Sequence, residues 1–154
     1  MAPITQILAH VHTADVGGAD TGAWVYLGIG GREFVVDSTG ADFSVGAKQD
    51  FRFGDGNNLE EPEYNDPRTP PLDTDDLDYF PVYLRFEPAG SNPPWCVEWV
   101  KVTVNPESGR SLSYIHPSLE GETDRNRIWL DDSYGKALYL RPEHLLTPSA
   151  RSVK

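Results

Sequence analysis

The chain has 154 residues, of which 38% are hydrophobic, and it carries a formal net charge of −11. This length and apolar content fit one folded domain over residues 1–154 and argue against a disordered chain. The charge argues against a nucleic-acid partner, because most of such a surface would repel phosphate.

The cellular compartment is predicted from cysteine content and from the N-terminal residues. Cys96 is the only cysteine, which prevents an intramolecular disulfide and favours a reducing compartment. Residues 1–6 lack a basic region followed by an apolar run, so we expect no signal peptide. No stretch approaches 18 consecutive apolar residues, so we expect no transmembrane segment and a cytoplasmic protein by default.

Short apolar runs separated by 14 glycines and 13 prolines predict strands rather than helices. The expected strands cover residues 4–13, 23–29, 32–36, 50–53, 79–87, 95–104, 111–115, 127–130 and 136–140. Apolar and polar residues alternate most clearly over 7–12 and 82–86. Such alternation between turn signals indicates an antiparallel sandwich or barrel. The glycines at 28, 30 and 31 lie between two predicted strands and predict a hairpin rather than a phosphate-binding loop.

The sixth predicted strand, 95–104, changes its apolar phase in the middle. The apolar positions are odd-numbered up to Trp99 and even-numbered from Val100, which predicts a β-bulge near Trp99. Cys96 lies in the same strand beside Trp95, so a buried and inert thiol is expected rather than a nucleophile.

An acidic segment at about 55–78 separates the fourth and fifth predicted strands. It contains nine acids and one base, Arg68, and so carries −8 of the net charge of −11. Its four prolines exclude a regular helix or a central strand and predict a solvated surface insertion. The acids offered as contacts for a basic protein partner are Glu60, Glu61, Glu63, Asp73, Asp75 and Asp76.

Five short stretches carry a family resemblance by their order and spacing. They are 13–15 (TAD), 18–27 (GADTGAWVYL), 42–51 (DFSVGAKQDF), 95–102 (WCVEWVKV) and 127–130 (RIWL). Together they resemble the PLAT domain, named after polycystin, lipoxygenase and alpha-toxin, over about residues 4–140. The resemblance implies an antiparallel β-sandwich of about eight strands, with Trp95 and Trp129 packed in its core. It also implies docking to membranes, lipid substrates or proteins, usually beside a catalytic domain.

The resemblance also implies a calcium site, since some PLAT domains bind Ca²⁺ in loops at one end of the sandwich. The loop positions that would supply oxygen ligands are Asp15, the carbonyl near Gly17, Asp20, Thr21, Asp37 and Asp42. The chain departs from the family pattern in the order of residues 20–22 and at Glu87, where calcium-binding members usually carry aspartate. Glu87 would have to substitute with a longer side chain. The alternative is turn chemistry, because tight loops favour Asp and Gly without any metal.

Trp24 and Phe43 are the candidate apolar contacts in these loops. Trp24 follows the loop 18–23, at a position where family members often carry a polar residue. A tryptophan near a loop tip could enter a membrane interface or anchor a partner. Lateral packing of Trp24 on the sheet is the alternative.

Three functions from different classes are compatible with the sequence. The first is a non-catalytic module that binds a protein partner as a stand-alone accessory subunit of a larger assembly. The second is a calcium-assisted membrane or lipid-binding module, in which calcium would offset the repulsion from anionic bilayers. The third is a glycan-binding or hydrolytic sandwich, which would need aromatic platforms or a placed pair of acids that the sequence does not reveal. No G-x-S-x-G, H-E-x-x-H or phosphate-loop motif is present, so we expect no enzyme activity.

Overall fold

The computed structural model describes residues 1–40, 42–88, 94–119 and 126–143 and contains nine strands. They are β1 (Gln6–Thr13), β2 (Trp24–Ile29), β3 (Arg32–Val35), β4 (Lys48–Gly54), β5 (Val82–Glu87), β6 (Trp95–Val104), β7 (Leu112–Ile115), β8 (Ile128–Leu130) and β9 (Ala137–Pro142). Each predicted strand matches one of them, although several ends differ. β5 begins later than predicted because Tyr79 caps the end of the 3-10 helix Thr74–Asp78, with its amide bonded to the Asp76 carbonyl. None of the helices in the described part of the chain has the length and apolar character needed to cross a membrane.

The strands pair in the order β3-β2-β5-β9-β7-β6-β1-β4, and β8 joins the sheet beside β6. All strand pairs are antiparallel. The sheet folds over at β9, whose first residues pair with β5 and whose last residues pair with β7. One layer therefore contains β3, β2, β5 and β9, and the other contains β7, β6, β1 and β4. The predicted antiparallel β-sandwich is confirmed.

Both layers bury alternate residues against one another, as the period of two in a strand requires. In β5, the side chains of Val82, Leu84 and Phe86 are buried while the residues between them are partly exposed. Trp95 is fully buried, and its ring centroid lies 5.0 Å from that of Phe43. The Trp95 Nε1 group donates a hydrogen bond of 2.9 Å to the Thr13 hydroxyl, so its polar atom is satisfied inside the core.

The predicted bulge in β6 is confirmed. His12 of β1 pairs with Trp99, but the next residue, Thr13, pairs with Val97, so Glu98 is the extra residue. Cys96, on the same strand, is buried as expected. Burial raises the pKa of its thiol to about 11, which keeps the sulfur protonated and unreactive at neutral pH.

The acidic segment differs from the solvated loop predicted for it. Leu59, Leu72 and Leu77 of this segment are buried in the same core cluster as the strand residues. Two 3-10 helices, Pro62–Tyr64 and Thr74–Asp78, hold its backbone. The prediction of a surface insertion is therefore wrong for the apolar residues of the segment, because the spaced leucines find partners in the core.

Two asparagines of the acidic segment bond to the two outermost strands of the sheet. The Val35 amide of β3 donates to the Asn65 side-chain oxygen at 2.8 Å, and Asn65 is buried. The Arg52 amide of β4 donates to the Asn58 side-chain oxygen at 2.8 Å, and the Asn58 amide group donates to the Asp50 carbonyl at 2.9 Å. These side chains satisfy backbone groups that an edge strand otherwise exposes.

Trp129 is 38% exposed, so the prediction that it packs in the core is wrong. It lies in the three-residue strand β8, where Leu130 is buried. Neighbouring residues of a strand point to opposite faces, so the burial of Leu130 turns Trp129 outward.

The two tryptophans give a stability test of this packing. Replacing the fully buried Trp95 by alanine should lower the free energy of unfolding by about 3–5 kcal/mol, because it removes a large core side chain. Trp129→Ala should cost about 1 kcal/mol or less, as a surface substitution does. Urea denaturation of both variants measures the difference, and similar losses for the two would contradict this placement of the core.

Candidate functional site

Loops from three parts of the chain meet at one end of the sandwich. The Thr21 amide donates to the Phe43 carbonyl at 3.2 Å, and the Gly46 amide donates to the Ala14 carbonyl at 3.1 Å. The Cys96 amide donates to the Ala19 carbonyl at 3.1 Å. These main-chain bonds hold the loops that the sequence proposes for calcium binding.

A cleft of about 310 Å³ opens between these loops and the start of β2. Its lining includes Thr21, Trp24, Asp37, Asp42 and Phe43. Three of the predicted calcium ligands, Thr21, Asp37 and Asp42, thus share one concave surface. The Thr21 hydroxyl accepts a hydrogen bond of 3.1 Å from the Ala23 amide, which orients its oxygen.

Asp37 and Asp42, which both line this cleft, form an acid pair. Partial burial raises the pKa of Asp37, and the hydrogen bond and charge of Asp42 raise it further. The charges of Glu60 and Glu61 add to the same effect on this pKa. The Asp42 carboxylate also accepts hydrogen bonds from the Ser38 amide, at 2.9 Å, and from the Ser38 hydroxyl. Asp37 therefore takes up a proton at a higher pH than an isolated aspartate does.

The other predicted calcium ligands do not join this pair. Asp15 faces Gly46, where an added Cβ would lie 3.3 Å from its Oδ1 atom. Gly17 and Asp20 are exposed loop residues. Glu87 is held by cations instead, with one oxygen 2.5 Å from Arg85 and the other 3.8 Å from Lys136.

Within the described ranges, no three His, Cys, Asp or Glu side chains lie close enough together to hold a metal ion. Asp37, Asp42 and the Thr21 hydroxyl supply fewer than the six to eight oxygens that Ca²⁺ prefers. The residues present thus fit a calcium ion only in part, and carbonyls or water would have to complete its coordination.

The two apolar candidates at this end have different environments. Trp24 is 51% exposed at the first position of β2, so lateral packing does not cover its ring. Phe43 is 8% exposed, and its ring centroid lies 5.6 Å from that of Phe51. The expectation that Phe43 contacts a partner disagrees with this burial, because the aromatic core takes up its side chain. Trp24 remains available for contact.

The acidic candidates also divide into two groups. Glu60, Glu61, Glu63 and Asp75 are exposed. Asp73 and Asp76 are half-buried and cap the 3-10 helix Thr74–Asp78. The Asp73 carboxylate accepts a hydrogen bond of 2.9 Å from the Asp75 main-chain amide. The Asp73 main-chain amide donates one of 2.9 Å to the Asp76 carboxylate. The capping roles of Asp73 and Asp76 make the first group better placed for a partner.

A cluster of aromatic and charged side chains on the outer face of the β3-β2-β5-β9 layer was not predicted from the sequence. The one sequence feature that pointed to this cluster was the alternation in β5, which places Tyr83 and Arg85 on the polar face of that strand. Their neighbours across the strands, Gly28, Tyr26 and Tyr139, depend on the strand register. The sequence does not reveal that register, because the residues come from three separate strands.

The comparisons with known proteins identify the fold. No family model matches the chain, and no curated protein matches it. Among solved structures, the alpha toxin from Clostridium absonum superposes with a TM-score of 0.58 at 20% identity, covering 91% of this chain and 32% of the toxin. The Clostridium perfringens alpha-toxin from an avian strain gives a TM-score of 0.55 at 19% identity, covering 90% of this chain and 31% of the toxin.

A coral 8R-lipoxygenase, which calcium activates through a C2-like domain, also has this fold. Its TM-score is 0.55 at 19% identity, and the match covers 89% of this chain and 17% of the lipoxygenase. The chain thus spans a third or less of the length of these three proteins. At such identities the likeness establishes the fold.

The acid pair predicts a pH-dependent effect of Asp37→Asn. A folded-state pKa above the unfolded value gives stability that is present at low pH and lost as the pH rises through the folded pKa. In calcium-free buffer the variant should therefore melt a few degrees higher than the parent at pH 7. The gain should shrink towards zero below the ordinary aspartate pKa of 3.8.

Thermal melts with EDTA across this pH range test the prediction. Asp20→Asn, on an exposed loop residue, controls for the loss of one negative charge. A lower melting temperature for Asp37→Asn at pH 7, or an equal gain for Asp20→Asn, would show that the pair carries no such penalty.

Proposed function

We propose, because the chain has a PLAT-like β-sandwich fold, that it is a non-catalytic docking module that binds a protein partner. Its partner surface would be the acidic segment, which would attach it as an accessory subunit to a larger assembly. One observation carries this proposal. The leucines of the segment are buried in the core, whereas its glutamates are exposed to solvent.

The scaffold beneath these acids is fixed by its own packing. Buried leucines and Asn65 tie the segment to the core and to β3, so the acidic side chains are held on ordered backbone. Ordering the surface before binding lowers the entropic cost of association. This arrangement suits a docking surface better than the free loop predicted from the prolines would.

The charges of this surface are available to a partner. Among the described residues, Glu60, Glu61 and Glu63 take part in no ion pair. Tyr64 and Tyr79 are exposed between and beside the acids. Uncompensated negative charge attracts a basic surface over a distance, and tyrosine is enriched at the centres of protein interfaces.

Neutralising part of this surface should slow the association. The partner is first isolated by chemical cross-linking of the chain in extracts of its source cells. Glu61→Gln with Glu63→Gln should then reduce the association rate by about threefold to tenfold at low ionic strength, because fewer charges steer the encounter. The difference should fall as salt is added.

A second double variant provides the matched control for this measurement. Glu107→Gln with Asp132→Asn removes the same charge from exposed positions outside the segment. Equal slowing by both double variants, or no cross-linked protein at all, would remove the support for this function.

A second candidate function is calcium-assisted docking to a lipid surface through the loop end. The observation that favours it is the exposed Trp24 beside the cleft that holds Asp37 and Asp42. Asp37, Asp42 and the Thr21 hydroxyl would hold the Ca²⁺, which would relieve the repulsion within the acid pair. An amphipathic indole ring is suited to the boundary between water and lipid.

Vesicle co-sedimentation distinguishes this candidate from protein docking. If it is correct, phosphatidylcholine vesicles should retain the chain in millimolar Ca²⁺ and release it in EDTA or Mg²⁺, which demands a stricter octahedral geometry. Trp24→Ala should abolish retention, whereas Trp129→Ala, which removes another exposed tryptophan, should not. Retention that ignores calcium, or equal loss in both variants, would exclude the lipid mode.

A further inference from the structure

The outer side of the β3-β2-β5-β9 layer carries an aromatic face, defined here by Tyr26, Glu33, Tyr83, Arg85 and Tyr139. Strand pairing brings these residues together, since Tyr26 is opposite Arg85 and Tyr83 is opposite Tyr139. Glu33 is opposite Gly28, which is itself opposite Tyr83. The layer buries its other face, so this side is turned away from the core.

Gly28 allows the Tyr83 ring to lie on the sheet. A Cβ atom at this position would lie 2.1 Å from Cζ and 2.2 Å from Cε2 of Tyr83. No side chain other than hydrogen is compatible with that contact. The ring is therefore laid across the backbone of β2 rather than standing free in solvent.

Polar contacts fix the orientation of the charged groups on the face. The Tyr83 hydroxyl donates to Glu33 at 2.6 Å, and Arg85 donates to both oxygens of Glu33 at 2.9 Å. The Arg85 guanidinium also lies 4.5 Å from the centroid of the Tyr26 ring. Burial and the bond to Glu33 raise the pKa of Tyr83 to about 12, so its hydroxyl remains a donor. The centre of the face is thus ordered before any ligand arrives.

The Tyr139 ring is the part of the face that is not covered by other side chains. It is 61% exposed, although its ring centroid lies 5.5 Å from that of Tyr83. Tyr139 and Tyr83 therefore offer adjacent aromatic surface beside charged groups that are already ordered.

Charge identifies the kind of ligand that fits. Glu33 is neutralised by Arg85, and Glu87, next to the face, is bound by Arg85 and Lys136. The face is therefore close to neutral on a chain with a net charge of −11. That net charge repels polyanions and a second copy of the chain, and a lipid interior would have to desolvate the ion pair. A basic partner would prefer the acidic segment.

We infer that the aromatic face binds a neutral oligosaccharide or polysaccharide. The C–H groups on one side of a sugar ring stack on the negative faces of Tyr139 and Tyr83. Glu33 Oε1, which accepts a single hydrogen bond, and the second N–H of Arg85 Nη2 then bond to the sugar hydroxyls. This site is separate from the acidic segment and from the cleft at the loop end.

Native affinity electrophoresis tests the inference, using hydroxyethylcellulose, a galactomannan and a neutral xylan as probes. At least one of the three should slow the full chain. Tyr139→Ala should weaken this retardation about tenfold, as for the loss of an aromatic hot spot. Gly28→Ala should also weaken it, because the added methyl group displaces the Tyr83 ring while every ligand-contacting side chain remains.

Tyr64→Ala is the matched control, since it removes an exposed tyrosine of the acidic segment and should leave the retardation unchanged. Circular dichroism confirms that each variant is folded. The inference is wrong if none of the three polysaccharides slows the chain, or if Tyr64→Ala and Tyr139→Ala behave alike. Binding to polygalacturonate alone, or self-association lost in Tyr139→Ala, would instead assign the face to an anion or to a second copy.

Discussion

The hydrogen bonds that Asn58 and Asn65 make to the sheet edges are the constraint on which the rest of the structure depends. β3 and β4 are the last strands at the two ends of the strand order, and each would otherwise present unpaired backbone groups to solvent. Asn65 accepts from the Val35 amide, and Asn58 bonds to both Arg52 and Asp50. One segment thus satisfies backbone groups at both edges, and its leucines join the core cluster.

This arrangement explains how the acids and the aromatic residues come to be separated. Because the apolar side chains of the acidic segment point into the core, its glutamates are left on the outside. The neighbouring layer presents a different surface, where each acid is paired with a base and tyrosines surround the ion pair. The chain thereby offers one strongly negative surface and one nearly neutral aromatic surface, which favour partners of different chemistry.

Much of the fold could be predicted from the sequence, because strand alternation is a local signal. The alternation in β5 and the phase change in β6 predicted the buried face and the bulge correctly. The prolines of the acidic segment were misleading, since they exclude regular structure but say nothing about whether spaced leucines reach the core. Trp129 was misplaced for a related reason, because a three-residue strand gives too short a pattern to fix its inward side.

The candidate site could be predicted only in part. The sequence placed Thr21, Asp37 and Asp42 in loops that do share a cleft. It could not predict that Glu87 is neutralised by Arg85 and Lys136, because those contacts join side chains from different strands. The aromatic face was missed for the same reason, as its residues are neighbours only through strand pairing.

Native-state hydrogen exchange at the Val35 and Arg52 amides tests the central claim most directly, namely that the acidic segment closes both sheet edges. Both amides should exchange slowly, and so should the Leu27 amide, which lies in a strand paired on both sides and serves as the reference. Asn65→Ala should accelerate exchange at Val35 far more than at Arg52, and Asn58→Ala should have the reverse effect. Fast exchange at both amides in the parent chain, unchanged by either substitution, would contradict the account.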